Sequence, residues 1–229
     1  MVEQLRWVAV CAVVIAIVWP LILFEEFHAG AFLGIFLAVW IIGATVKDTL
    51  NKTANREGRL TGFLRLRRSF IGMSMGHIGF ACAILGVTLV SIESQELDIR
   101  MTPGEKVQVL DYEFEFMGLA PYKGANYNAN RATIRVTSAT SDEVVAMLYP
   151  EKRIYLSKGS PMTEAGIDAG LFRDLYIALG EKLDGEAWAV RIQIKPFVRW
   201  IWLGALIMAL GGIVAISDQR YRKKHSILN

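Results

Sequence analysis

The 229-residue sequence predicts an α-helical membrane protein with four transmembrane helices and an inserted, mainly β domain outside the cytoplasm. Three observations lead to this fold class. Long uncharged runs lie toward both ends of the chain and reach the roughly 18 residues typical of a membrane helix. A polar segment with strand-like patterns separates these runs. Lysine and arginine are concentrated in two segments, and the net charge of +3 gives no indication of a nucleic-acid partner.

Four apolar segments are long enough to cross a hydrocarbon core of about 30 Å. We expect the first to be a retained helix and not a signal peptide, because its apolar run exceeds the usual ~7–15 residues and no A-x-A-like site follows. Residues 1–92 then hold three helices, and residues 197–229 hold the fourth helix with a basic tail. The predicted spans are residues 5–24, 29–46, 70–91 and 197–217.

The distribution of basic residues predicts the orientation of these helices. Residues 47–68 contain seven lysines and arginines, and the tail contains Arg220, Arg222, Lys223 and Lys224. The positive-inside rule places both segments in the cytoplasm. Both termini are then cytoplasmic, and residues 93–196 lie on the opposite side of the membrane.

Residues 93–196 have the pattern of a small antiparallel sandwich or barrel. Alternating or β-branched sequences predict strands, and three lysine–glycine or proline–glycine pairs predict turns. The segment 172–181 fits a strand or a short helix. The predicted strands are 107–110, 112–118, 132–138, 143–149 and 189–195, and the turns are at Pro103-Gly104, Lys123-Gly124 and Lys158-Gly159.

The predicted β domain lacks the residues of common catalytic sites. It contains no histidine and no cysteine, which excludes the usual nucleophile–base pairs and zinc sites within it. Cys11 and Cys82 lie in apolar runs, where a buried, inert thiol is the expectation. We expect the carboxylates of the domain to be solvated; they include Glu151, Glu164, Asp168, Asp174 and Glu181.

His77 is the ionisable side chain of the third span, and such residues within a membrane are expensive and often functional. At ~100° per residue, Gly72, Gly76, Gly79, Ala83 and Gly86 share one face, a stripe that permits close helix packing. His77 projects to another side, near Ser74, Ala81, Ile84 and Thr88. Neutral imidazole is an established ligand of haem iron. The residues alone nevertheless favour a structural histidine hydrogen-bonded to a neighbouring helix.

The other two histidines have simpler interpretations. His28 follows Glu25-Glu26 at the predicted outer interface, where a solvated anchor is expected. His225 lies in the basic tail. Neither is predicted to bind a ligand.

Several longer motifs resemble the C-terminal third of CcmF-type cytochrome c haem lyases, including the NrfE-like members. They cover most of residues 70–222 and occur in the same order as in that family. The motifs are SMGHIGFA (74–81), PEKRIY (150–155), MTEAGID (162–168), DLYIALGE (174–181), KPFVRWIWLGALIMALGG (195–212) and SDQRYR (217–222).

This resemblance implies a role in covalent haem attachment to c-type cytochromes on the periplasmic side of the bacterial inner membrane. It implies that His77 is one axial ligand of a b-type haem held within the membrane. It also implies a haem chaperone, an apocytochrome c and its thiol-reducing partners as components of the same system.

The chain also departs from the family pattern. The tryptophan-rich WWD segment, its flanking histidines and the second intramembrane histidine of such proteins have no counterpart here, so the second axial ligand is expected from a partner chain. We expect a C-terminal subunit or fragment that has haem lyase activity only with the N-terminal half. A non-catalytic membrane scaffold that docks the apocytochrome or its maturation partners is an alternative, and an inactive truncated fragment is another.

Overall fold

The computed structural model describes residues 2–23, 28–53, 66–157 and 159–218. Within them the chain forms two compact units. The first combines Met1–Ile92 with Phe197–Asn229, and the second is Glu93–Pro196.

The first unit contains four described helices, each long and apolar enough to span a membrane. The prediction of four transmembrane helices is thereby confirmed. Helix α2 continues to Thr53, beyond the predicted end at residue 46. Its threonine hydroxyls donate hydrogen bonds to carbonyl oxygens one turn earlier, from Thr45 to Ile41 at 2.7 Å and from Thr49 to Thr45 at 2.8 Å. The helices are α1 (Val2–Leu23), α2 (Ala29–Thr53), α3 (Arg68–Glu93) and α4 (Val198–Ile216).

Helices α3 and α4 pack antiparallel through glycines spaced seven residues apart. A methyl group built on Gly79 would lie 2.6 Å from the carbonyl oxygen of Gly204, so the two backbones are in direct contact. Gly72 meets Gly211 in the same way, and Gly86 meets Ile201. The close packing predicted for the small-residue stripe of α3 is confirmed at Gly72, Gly79 and Gly86, whereas a methyl group on Gly76 would meet no described atom within 4 Å.

The second unit is an antiparallel β-sandwich. One sheet has the order β1-β10-β9-β8, and the other has the order β2-β3-β4-β6-β7, with β5 also paired to β4. The strands are β1 (Gln95–Met101), β2 (Lys106–Val109), β3 (Tyr112–Lys123), β4 (Tyr127–Ser138), β5 (Val144–Leu148), β6 (Glu151–Tyr155), β7 (Pro161–Glu164), β8 (Gly166–Ala169), β9 (Arg173–Lys182) and β10 (Trp188–Pro196).

The core of the sandwich follows from the two-residue period of its strands. Phe114 and Phe116 of β3 and Ile177 of β9 are fully buried between the sheets, while the residues between them point outward. Strands β3 and β4 each have 12 residues and form a long hairpin. The half of this hairpin next to its turn pairs with β6 and lies outside the main core cluster.

All five predicted strands are present, and the ambiguous segment 172–181 is a strand, β9. The turns at Gly104 and Gly124 are confirmed as well; the Gly124 amide donates to the Tyr127 carbonyl at 2.9 Å. Residue 158 of the third predicted turn is outside the described residues. Four further strands lacked a recognisable apolar alternation, because they are short or rich in charged side chains: β1, β6, β7 and β8.

Candidate functional site

The candidate site is centred on the exposed side chain of His77 in α3. His77 lines an open groove of about 350 Å³ together with Met73 from the preceding turn. Helix α2 supplies much of the opposite wall through Thr45, Lys47 and Asn51. The groove therefore has an imidazole on one wall and, on the other, the cation of Lys47, the carboxylate of Asp48 and the amide of Asn51.

The packing of α3 explains why His77 projects into this groove. Residues 77, 81, 84 and 88 fall on one side of the helix at ~100° per residue. Ala81 on that side is fully buried, and the Thr88 hydroxyl occupies the space above Gly34 of α2. The glycine stripe on another side contacts α4. His77 consequently lies on the α2-facing side, about 16 Å along the helix from Thr88, where the groove opens.

A second polar group of α3 lies one turn before His77. The Ser74 hydroxyl is buried and makes no hydrogen bond to any described residue. It lines an apolar cavity of about 230 Å³ that α2 bounds through Thr49 and Leu50. An unsatisfied buried hydroxyl is uncommon and requires an explanation, such as a bound group.

The remaining histidines do not join His77. His28 immediately precedes α2 and is exposed, whereas the α2 wall of the groove begins near Thr45. These two positions are seventeen residues apart, or about 25 Å along a helix. His225 is outside the described residues. Among the described residues, no group of three or more histidine, cysteine, aspartate or glutamate side chains is arranged to hold a metal ion.

The geometry fits one axial ligand of a haem and leaves the site incomplete. An exposed imidazole with apolar neighbours such as Met73 has the chemistry required of such a ligand. Ligand pockets that enclose a small molecule have volumes of ~300–1,000 Å³, so this groove is at the lower limit and covers only part of a large planar group. Enclosing such a group would require a second wall.

The sandwich carries a buried carboxylate that contradicts one prediction. Glu151 at the start of β6 is only 3% exposed. It accepts hydrogen bonds from the Nε atoms of Arg131 at 2.5 Å and Arg153 at 2.6 Å. The expectation that Glu151 is solvated is wrong, because antiparallel pairing of β4 with β6 places Arg131 directly opposite it.

Aromatic rings extend this charged cluster along the β3–β4 hairpin. The Arg131 guanidinium lies 3.4 Å from the centroid of the Tyr122 ring, and the Arg153 guanidinium lies 4.4 Å from that of Tyr127. Tyr155 packs against Tyr127 at 5.6 Å between centroids. We call these six residues, including Glu151, the arginine–tyrosine cluster.

The ionisation of Glu151 reflects its two arginine partners. Burial by itself raises the pKa of this carboxyl, but the hydrogen bonds and charges of Arg153 and Arg131 outweigh burial and hold the pKa below its ordinary value. Glu151 is therefore a charged, structural group at neutral pH.

The other predicted carboxylates are scattered, and several form local contacts. Glu181 is 75% exposed and pairs with Lys152 at 2.7 Å. Glu164 lies 3.4 Å from Arg153, and Asp168 pairs with Arg173. The Asp174 carboxylate accepts a hydrogen bond from the Gly170 amide at 3.1 Å. These contacts support the fold of the sandwich and do not form a paired-carboxylate site.

Comparison with known proteins identifies relatives for both units. Residues 92–196 match the family model described as the CcmF C-terminal beta-sandwich. The chain is 45% identical over 203 residues to a cytochrome c-type biogenesis protein CcmF of Pseudomonas fluorescens, which covers 89% of this chain and 30% of that protein. It is 41% identical over 217 residues to the CcmF of Escherichia coli, covering 95% and 32%. The NrfE protein of Haemophilus influenzae is 28% identical over 199 residues, covering 87% and 29%.

A solved structure supports the same architecture. The structure described as Cytochrome c Heme Lyase CcmF superposes with a TM-score of 0.71 over 93% of this chain and 34% of its own chain. Its sequence identity of 18% makes this a similarity of fold. The chain spans about 30% of the length of the curated relatives it matches.

Proposed function

Because the chain corresponds to the C-terminal portion of CcmF- and NrfE-type cytochrome c biogenesis proteins, as its motifs predict, we propose that it is the C-terminal part of a membrane cytochrome c haem lyase. In this proposal it contributes one axial ligand of a b-type haem and a periplasmic domain to covalent haem attachment to apocytochrome c. The observation that carries the proposal is the exposed imidazole of His77, which lines a groove between α2 and α3.

The contacts that the different sides of α3 make with α2 and α4 support a ligand role for His77. A structural histidine of a membrane helix normally hydrogen-bonds a neighbouring helix. The described structure instead leaves His77 exposed, although α4 covers the glycine stripe and α2 contacts Thr88. An ionisable side chain kept accessible at this depth is expected to serve a bound group.

The residues of the groove have distinct roles toward such a group. His77 would hold the iron through a neutral ring nitrogen, and Lys47 and Asn51 would offer a cation and an amide to carboxylates at the groove margin. The carboxylate of Asp48 also lines this margin, where it pairs with Lys52 at 2.8 Å. The bound haem would supply an iron centre whose properties depend on its axial ligands and on solvent exclusion. The second axial ligand is proposed to come from a partner chain.

The distribution of charge supports the orientation that the sequence predicts. Lys52 at the end of α2 lies 3.7 Å from the centroid of the Phe70 ring at the start of α3. The Ser69 amide donates to Asp218 just beyond α4 at 2.9 Å. The ends of three helices near the basic segments thus meet at one end of the bundle, which we assign to the cytoplasm. The β domain is then periplasmic, and both termini are cytoplasmic.

The β domain is proposed to act in protein docking and not in chemistry. Its sequence contains neither histidine nor cysteine, and its relatives are named as cytochrome c biogenesis proteins. We propose that it faces apocytochrome c and the proteins that keep the apocytochrome thiols reduced. The haem chaperone and the N-terminal half with the WWD segment are further proposed partners, because the chain spans about 30% of its relatives.

A non-catalytic scaffold remains the second candidate function, and the incomplete groove is the observation that favours it. If the groove never receives a second ligand, the chain would contribute docking surfaces alone. The two candidates differ in one measurable property: the haem-lyase proposal requires bound haem that is lost when His77 is replaced, and the scaffold does not.

Co-expression of the chain with an N-terminal companion carrying the WWD segment tests the proposal. We expect a six-coordinate, low-spin spectrum of a haem with two histidine ligands, and we expect His77→Ala to remove or shift it. His28→Ala is the matched control and should leave the spectrum unchanged. Restoration of the spectrum of His77→Gly by added imidazole would separate ligand loss from misfolding. Unchanged haem content and spectrum in His77→Ala would exclude the ligand role.

A further inference from the structure

A second groove of the helical unit shares only Met73 with the groove that His77 lines. It has a volume of about 920 Å³ and lies where the end of α2, the start of α3 and the second half of α4 meet. Lys52 and Arg67 line it together with Phe70, Gly76, Met208 and Gly212. It therefore combines two cations with a predominantly apolar surface.

Two glycines keep this groove open. A methyl group built on Gly76 or on Gly212 would meet no described atom within 4 Å. Gly72 and Gly211 differ, because a methyl group on either would collide with the facing helix. Direct helix contact therefore explains Gly72 and Gly211 but does not explain the absence of side chains at Gly76 and Gly212.

The charges are positioned at one end of the groove. Lys52 belongs to the last turn of α2, and Arg67 immediately precedes α3. Arg67 is exposed and forms no ion pair with a described residue, whereas Lys52 pairs with Asp48 at 2.8 Å. No acidic side chain lines the groove in the described part of the chain. Gly76 lies about 14 Å along the helix from Arg67, so the apolar part continues into the membrane.

We propose that this groove binds an anionic phospholipid of the surrounding bilayer. Arg67 and Lys52 contact the phosphate, and an acyl chain lies along Gly76, Met208 and Gly212. Basic pockets between transmembrane helices are suited to anionic headgroups, and burial of the chain methylenes adds an apolar contribution. The proposal requires only that the helices span a membrane, so it does not depend on the haem ligand role of His77.

Native mass spectrometry of the full chain tests this inference. The chain would be released from micelles that contain equal amounts of phosphatidylglycerol and phosphatidylcholine, and the bound lipids would be counted. We expect preferential retention of one phosphatidylglycerol. Arg67→Ala and Lys52→Gln should each lower this preference about fivefold, since a single cation near an anionic surface has an effect of that size. Gly76→Leu and Gly212→Leu should abolish retention by filling the groove.

Matched variants separate lipid binding from general effects. Arg68→Ala removes an exposed neighbouring cation that does not line the groove, and Gly30→Leu adds the same side chain at another helical glycine with open space around it. Both should retain the lipid. Equal retention of the two lipids by the unsubstituted chain would overturn the proposal. So would unchanged retention in both glycine variants, or loss of the lipid when an N-terminal companion covers the groove.

Discussion

The buried carboxylate Glu151 offers the sharpest test of the described β domain. Glu151→Gln preserves the size of the side chain but removes its charge and one of its two strong acceptor oxygens. Both arginines that bind Glu151 are then left beside a neutral amide. We expect the β-sandwich to become less stable while its helix-free architecture and its core packing are retained.

The size of this effect follows from the contacts. Glu151 accepts two charge-assisted hydrogen bonds, and each is worth about 1.5–3 kcal/mol. The side chains of Arg131 and Arg153 remain 33% and 23% exposed and can recover contacts with water. The expected loss is therefore about 2–4 kcal/mol, at the lower end of what breaking a fully buried ion pair costs.

Urea and thermal unfolding of residues 93–196 would measure this loss, because the domain has its own core. For a domain of about 100 residues, a loss of 2 kcal/mol lowers the Tm by at least about 8 °C. Glu181→Gln is the control, since Glu181 is 75% exposed in its pair with Lys152, and we expect less than about 0.5 kcal/mol there. Equal effects of the two substitutions would refute the reasoning.

The same carboxylate predicts a dependence on pH. Its arginine partners hold the pKa of Glu151 below its ordinary value of 4.5, so its contribution to stability is present above that value. This contribution is lost as the pH falls through the lowered pKa of the folded state. We expect the difference in unfolding free energy between the unsubstituted domain and Glu151→Gln to shrink below about pH 4.5. A difference that grows on acidification would contradict the assignment.

Three further predictions concern the helices and the domain as a whole. Gly79→Ala should destabilise the helical unit in detergent by about 1–3 kcal/mol, because the new methyl group would lie 2.6 Å from the Gly204 carbonyl oxygen. Gly76→Ala is the control: its methyl group would have open space, so the substitution should be neutral or slightly stabilising. A cysteine at Ala120 in an otherwise cysteine-free chain should react with an impermeant reagent from the periplasmic side, and reaction only from the cytoplasm would reverse the proposed orientation. Residues 93–196 alone should give a β-type circular dichroism spectrum and no tight haem binding in a titration; a helical spectrum or stoichiometric haem would count against the assignment.

The helices and the central strands are predictable from sequence because a single physical property determines each of them: apolar length for the helices and two-residue alternation for the strands. Runs of about 20 apolar residues specify membrane helices by transfer free energy alone. Alternation such as YEFEFMG specifies a half-buried strand by its period of two. The segment 172–181 has both an alternating pattern and helix-forming residues, and pairing with β10 decides it as a strand. Local propensity cannot supply that decision, because the pairing partner lies outside the segment.

The arginine–tyrosine cluster shows where sequence reasoning fails. EKRIY has two adjacent cations and an acid, a composition typical of an exposed turn. The strand β6 exists because it pairs with β4, which brings Arg131 opposite Glu151 and Tyr127 opposite Tyr155. Burial of Glu151 is thus a consequence of register between segments twenty residues apart. Charge counts along the chain contain no information about that register.

The seven-residue spacing of glycines in α3 predicts that another helix packs closely against it but does not identify that helix. Glycines at 72, 79 and 86 must share one side of α3, and their spacing predicts a close neighbour. The identity of that neighbour follows only from the structure, in which Gly204 and Gly211 of α4 have the same spacing and run antiparallel.

This pairing bears directly on His77. α4 lies on the glycine side of α3 and α2 lies against Thr88, whereas His77 is exposed; the haem that we propose would bind at this exposed side. The other described imidazole, His28, belongs to a position about 25 Å away along α2. A haem iron held by His77 with a second histidine therefore requires a ligand from outside the described chain. This requirement links the haem-ligand proposal to a partner chain. Haem bound with two histidine ligands to the isolated chain carrying His225→Ala would contradict the geometry of α2 and α3.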